Sequence, residues 1–160
     1  MPAVSWTDDL SVGVHVVDAD HKMLIDLINQ VVAAAESKRP HDQIAKVLVA
    51  LDEYVDFHFV REESMMEACG YAGLDDHRKV HEKLRTEVHN IAEHFKREPA
   101  KALTDEVLAF LTQWLVRHIM GHDKNYAPAM VGKEQQIAEA HRAFLHHGSY
   151  GESADATDAY

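Results

Sequence analysis

Residues 41–67 read HDQIAKVLVALDEYVDFHFVREESMME. Ile44, Val47, Leu48, Leu51, Val55 and Met65 recur in it at the three-and-four spacing that lines up one face of an α-helix. No period-two alternation competes, so the stretch predicts one long helix over His41–Glu67. His58 and Glu62 continue the same stripe, four residues apart, and therefore point into whatever that face packs against. An imidazole and a carboxylate placed in a core need partners, because burial of either alone is costly.

The rest of the chain repeats the pattern. An irregular arm containing Trp6 and LSVGVHVVDAD (10–20) leads to a helix that should start near Asp18 to Asp20, either of which could cap it. Its stripe is His21, Leu24, Leu27, Ile28 and Val31. SKRP (37–40) breaks it, with Pro40 where a first-turn proline is tolerated. After CGYAG (69–73), a helix opened by Asp75 and Asp76 carries His77, Val80, His81, Leu84, Val88, Ile91 and Phe95, until EPA (98–100) interrupts it. A fourth, from about Thr104, carries Val107, Phe110, Leu111, Trp114, Leu115 and His118 and should end before Pro128. Short connections between amphipathic helices make neighbours antiparallel, so the expected fold is all-α: an up-down-up-down four-helix bundle with an N-terminal arm.

Beyond the bundle, expected to span residues 1–131, EQQIAEAHRAFLHHG (134–148) predicts a short extra helix. Ile137, Phe144 and Leu145 lie on one side of it, and Gly148 is its stop. That extension covers 132–148, and residues 149–160 hold little to bury and read as a disordered tail.

The length of 160 residues suits one domain. With 46% hydrophobic and 27% charged residues the chain is globular in type, and a net charge of −11 disfavours nucleic acid and anionic lipid as partners. The N-terminus lacks the pattern of a signal peptide and no window is apolar enough for a membrane span, so the expected location is the cytoplasm. The single cysteine, Cys69, agrees with a reducing compartment.

Thirteen histidines are the unusual feature of the composition. A pair such as His77 and His81, one helical turn apart, is by itself a weak signal. His21, His58, Glu62, His77, His81 and His118, however, each extend the apolar stripe of their own helix. In an antiparallel bundle they come from the start, end, start and end of four successive helices and so fall in one layer. Five imidazoles with carboxylates exceed the four ligands of a structural zinc site and suit two ions bridged by carboxylate. Imidazole and carboxylate without thiolate suit iron, manganese or zinc, and a redox role favours iron. Spacing pairs His118 with His122, one turn on.

These residues resemble the hemerythrin family, and within it the single-domain bacterial members, the bacteriohemerythrins. The resemblance runs over roughly residues 4–131. It rests on Trp6 with LSVGV (10–14), DADHKMLIDLIN (18–29), HFVREESMM (58–66), HRKVH (77–81) and WLVRHIMGHDKNY (114–126). It implies a non-haem centre of two iron ions, oxo- or hydroxo-bridged. His77, His81 and His118 would hold one iron, His21 and His58 the other, and Glu62 and Asp123 would bridge them. Dioxygen would bind reversibly, as hydroperoxide, at the iron with two histidines. The family pattern HxxxxD selects Asp123 over His122 and needs a widened last turn such as a π-bulge. Trp114, Leu115 and Ile119 would line the oxygen pocket.

The resemblance thus implies a dioxygen-binding protein, not an enzyme, used for storage, delivery or sensing, with an oxygen-consuming enzyme or a signalling protein as possible recipient. The alternatives are a di-iron redox enzyme reducing peroxide or nitric oxide, and an oxygen-responsive regulatory module. Carboxylate-rich di-iron oxidases use Glu-x-x-His, whereas the order here is His-x-x-x-Glu with histidine dominant.

Overall fold

The structure, a computed structural model, describes residues 3–147. Four long helical runs make an antiparallel bundle: α1 (His15–Glu36), α2 (His41–Ala68), α3 (Leu74–Arg97) and a composite fourth run. The break at Glu98 is filled by a single turn, α4 (Pro99–Ala102), before α5 (Asp105–His118), which Thr104 caps by accepting from Val107 N at 3.2 Å. A π-helical turn, Ile119–Asp123, joins α5 to α6 (Lys124–Met130), and α7 (Glu134–His147) follows. α1 packs beside α2 and α5, α3 packs beside α2, and α7 lies against α2.

The stripes read from the sequence are the inner faces. Leu24, Ile28 and Val31 of α1, Leu51 and Val55 of α2, and Leu111 of α5 are fully buried. α3 is the most polar of the long helices, and its buried face is His77, His81, Val88, Ala92 and Phe95. Gly70 ends α2 at φ 69°, with Gly70 N and Tyr71 N returning to Glu67 O and Met66 O, a geometry in which a side chain would be strained.

Two boundaries differ from the expectation. α1 starts at His15, ahead of Asp18, because Asp18 does not cap it. Its carboxylate instead reaches back to the arm and accepts from Ser11 Oγ at 2.6 Å and Val12 N at 3.0 Å. Asp20 caps nothing either and is buried among α2 side chains. The fourth run continues through Pro128 to Met130, so the proline costs only the one bond its missing N–H would make in a final turn. α7 packs inward through Phe144, which meets Phe57 edge-on at 5.2 Å. The expected stop at Gly148 and the expected tail lie outside the described residues.

Leu51 is a fully buried member of this core. Leu51→Ala should therefore lower stability by about 2–5 kcal/mol, read as a reduced urea midpoint at unchanged slope. A shift within error would mean that the α2 stripe is not the packed face.

Candidate metal centre

At one end of the bundle the inward stripes end in nitrogen and oxygen. His21 comes from α1, His58 and Glu62 from one face of α2, His77 and His81 from α3, and His118 from α5. The π-turn then brings in Asp123. An ordinary helix puts residues five apart about 140° from one another, and the extra residue in the turn rotates Asp123 back onto the face of His118. His122, the i+4 choice, stays partly exposed at the rim, its ring 5.4 Å from that of His118. The seven side chains in the cluster are each 3% exposed or less.

Their atoms fall into two groups that share Glu62: one with His77, His81, His118 and Asp123, the other with His21 and His58. Both carboxylates face both groups. Glu62 Oε1 lies 3.0 Å from His81 Nε2 and 3.4 Å from His77 Nε2, while its Oε2 lies 3.2 Å from His58 Nε2 and 3.5 Å from His21 Nε2. Asp123 Oδ1 is 3.0 Å from both His77 Nε2 and His118 Nε2, and its Oδ2 is 3.2 Å from His21 Nε2.

Hydrogen bonding does not account for this arrangement. His58 Nδ1 donates to Asp20 at 2.9 Å and His81 Nδ1 donates to Glu63 at 2.9 Å. With Nδ1 so engaged, Nε2 is the nitrogen that each of these rings turns toward Glu62. His21 Nε2 and His58 Nε2 are 3.1 Å apart, His81 Nε2 and His118 Nε2 3.2 Å. Glu62 Oε1, both Asp123 oxygens and His77 Nε2 are buried without a hydrogen bond. Donors about 2.1 Å from one cation and at right angles to each other lie ~3.0 Å apart, so these spacings and lone pairs suit shared cations.

The electrostatics agree. Burial would raise Glu62, but the charge of His58 and the contacts of His21 and His77 outweigh it and hold the carboxyl well below its usual range. Asp123 is likewise held down against its own burial and the repulsion of Glu62, chiefly by His118. The rings respond in kind. Burial opposes a charge on them, yet Glu62 and Asp20 raise His58 to about 10, and Asp123 and Glu62 raise His77 to about 9.

Several supporting residues escaped the sequence reading. Tyr126, fully buried, donates to Glu62 Oε2 at 2.9 Å. Phe59 stacks on His81 with centroids 3.8 Å apart, and Trp114 meets Phe59 edge-on at 6.3 Å. Trp114, Leu115 and Ile119, by contrast, are named by the sequence reading, and all three are buried on the run that carries His118. Asp20, Glu63 and Arg61 support the ring nitrogens from behind. Asp20, which its position offers as a helix cap, has its histidine partner on α2 and not beside it in the chain, so local sequence carries no signal of that contact.

A buried set of five imidazoles and two bridging-capable carboxylates at the end of a helical bundle defines a non-haem metal protein with donors for two ions. A family model described as "Hemerythrin HHE cation binding domain" matches residues 12–130. A bacteriohemerythrin from Stenotrophomonas maltophilia is 33% identical over 147 residues, covering 89% of this chain and 92% of its own. A myohemerythrin from Riftia pachyptila is 30% identical over 76% of this chain and 88% of its own. The crystal structure of a wild-type hemerythrin matches with TM-score 0.73 at 30% identity, covering 80% of this chain and 98% of that one. The chain belongs to the hemerythrin family, and its centre is the oxygen-binding di-iron centre of that family.

A cation entering this pocket competes with protons. Rings whose pKa values are raised carry a second proton below about 10 (His58) and about 9 (His77), so uptake near neutrality must displace that proton. Affinity for a divalent cation should rise with pH, by about tenfold per unit for each proton displaced, and fall on acidification from pH 8 to 6. Equilibrium dialysis over that range checks it, and a flat affinity would contradict the protonation scheme.

Proposed function

We propose that the chain binds dioxygen reversibly at two irons divided as the donor groups divide. His77, His81 and His118 hold one, His21 and His58 hold the other, and Glu62 and Asp123 span both. The observation that carries this reading is the split of each carboxylate, one oxygen toward each histidine group. Iron held by these residues would supply, by moving between ferrous and ferric, the electrons that reversible dioxygen binding needs.

The chain does the rest. Three imidazoles serve one side and two the other, so an ion on the two-histidine side would have one fewer protein donor and one more position for a small ligand. Tyr126 holds Glu62 in place from the far side, and the Phe59 ring braces His81. Trp114, Leu115 and Ile119, buried on the run that carries His118 and Asp123, add apolar bulk that would keep water from the centre.

Carriage is favoured over catalysis because the imidazoles and carboxylates of the pocket are already committed as donors. None is left as a general acid or base beside the open side, as a committed oxidase would need. His122, at the rim, is held below the usual imidazole range by burial and by the charges of His118 and His77. We place the protein in the cytoplasm, storing oxygen or passing it to a separate oxygen-consuming enzyme or signalling protein. Among the described residues no helix is long and apolar enough to cross a membrane.

The test is anaerobic iron loading followed by oxygen titration, with the visible spectrum read before and after argon purging. Reversible carriage predicts an oxygenated spectrum that disappears under argon and returns on re-exposure over repeated cycles. A single irreversible passage to a ferric spectrum would refute carriage and favour the redox-enzyme alternative.

A further inference from the structure

The two ring nitrogens held from behind are held by different devices. On the three-histidine side His81 is steadied by Glu63, a carboxylate near the surface whose cationic neighbours are Arg78 at 3.3 Å and Arg85 at 3.8 Å. On the two-histidine side His58 is steadied by Asp20, which is inside the bundle and 2% exposed. Every direction around Asp20 is taken. Its Oδ1 accepts from Tyr54 Oη at 2.7 Å and Arg61 Nη2 at 2.7 Å, and its Oδ2 accepts from Arg61 Nε at 3.1 Å and His58 Nδ1 at 2.9 Å. A carboxylate that already accepts from Tyr54 and twice from Arg61 is an acceptor at its remaining contact too, so His58 Nδ1 is the donor there.

Arg61 is itself enclosed. Its guanidinium lies 4.3 Å over the Phe57 ring and 5.8 Å from the Phe144 ring, and its Nη1 is 3.5 Å from His141 Nδ1. Phe144 and His141 belong to α7, whose residues all lie beyond the 12–130 match. Were α7 withdrawn, water would reach the guanidinium, and the fork that pins both Asp20 oxygens would be exchanged for solvent contacts. A carboxylate behind an imidazole sets both the ring's orientation and the donor strength of its inward nitrogen. The effect is one-sided, since Glu63 is held by Arg78 and Arg85 instead.

We propose that α7 is a positioning element for the metal centre: closed over Arg61 through Phe144 and His141, it locks Asp20, and through Asp20 the ring of His58, on the two-histidine side alone. This rests on the two-ion reading above, and on that reading α7 acts on the side that takes the small ligand. Arg61 and Asp20 are positioning residues, since neither is among the donors that face the ions.

The test loads the full chain with two equivalents of cobalt(II) and follows release to excess chelator by visible absorption. It compares wild type with Asp20→Asn, Arg61→Met, Phe144→Ala and, as a control on α5, Leu108→Ala. Asp20→Asn and Arg61→Met should speed release of one equivalent by about 10–100-fold and leave the other at the wild-type rate. Phe144→Ala should speed the same equivalent by a smaller factor. Leu108→Ala should lower the melting temperature without changing either rate. Wild-type release rates in the first three variants would overturn the proposal, as would equal acceleration in Leu108→Ala and Phe144→Ala, which marks general loosening. Uptake is counted before release begins. A wild-type chain taking only one equivalent would contradict the two-ion reading, while the comparison among variants would still decide the role of α7.

Discussion

Two carboxylates buried among five imidazoles are the constraint from which the rest of this molecule follows. Glu62 and Asp123 are fully enclosed, and neither finds in protein donors alone the hydrogen bonds that would repay leaving water. Positive charge must come from protons on the rings or from cations between them. Both solutions use the same converging geometry, which is why the pocket couples metal uptake to proton release. The bundle's part is to bring four helix ends together and to widen one turn so that Asp123 arrives on the right face.

Much of this was legible in the sequence because the donor residues obey the same periodicity as the core. His21, His58, Glu62, His77, His81 and His118 extend stripes that any amphipathic helix must bury, so placing the helices also placed the donors. Asp123 was different. Helical spacing favoured His122, and only the resemblance to the hemerythrin family selected the residue that the π-turn turns inward. A local change of helical pitch leaves no trace in hydrophobic periodicity.

The supporting residues were not legible. Arg61 sits about 100° around α2 from Glu62 and looks like a surface cation until α7 and Asp20 are seen around it. Tyr126 follows the widened turn, and its aim at Glu62 depends on that turn. Asp18 and Asp20 both read as helix caps, yet one ties down the arm and the other anchors a histidine. In each case the partner lies on another element, and packing between elements, not local propensity, decides the contact. His141 is placed in the same way: α7 sets it against Arg61, and burial together with the Arg61 charge lowers its pKa.

The central claim is that one pocket holds two ions, and anomalous diffraction at the iron edge from crystals of the iron-loaded chain tests it most directly. The account predicts two peaks about 3.5 Å apart. Glu62 and Asp123 should lie between them, three imidazoles around one and two around the other. A single peak, or iron held at the surface by His122 or other rim histidines with the buried cluster bare, would contradict it.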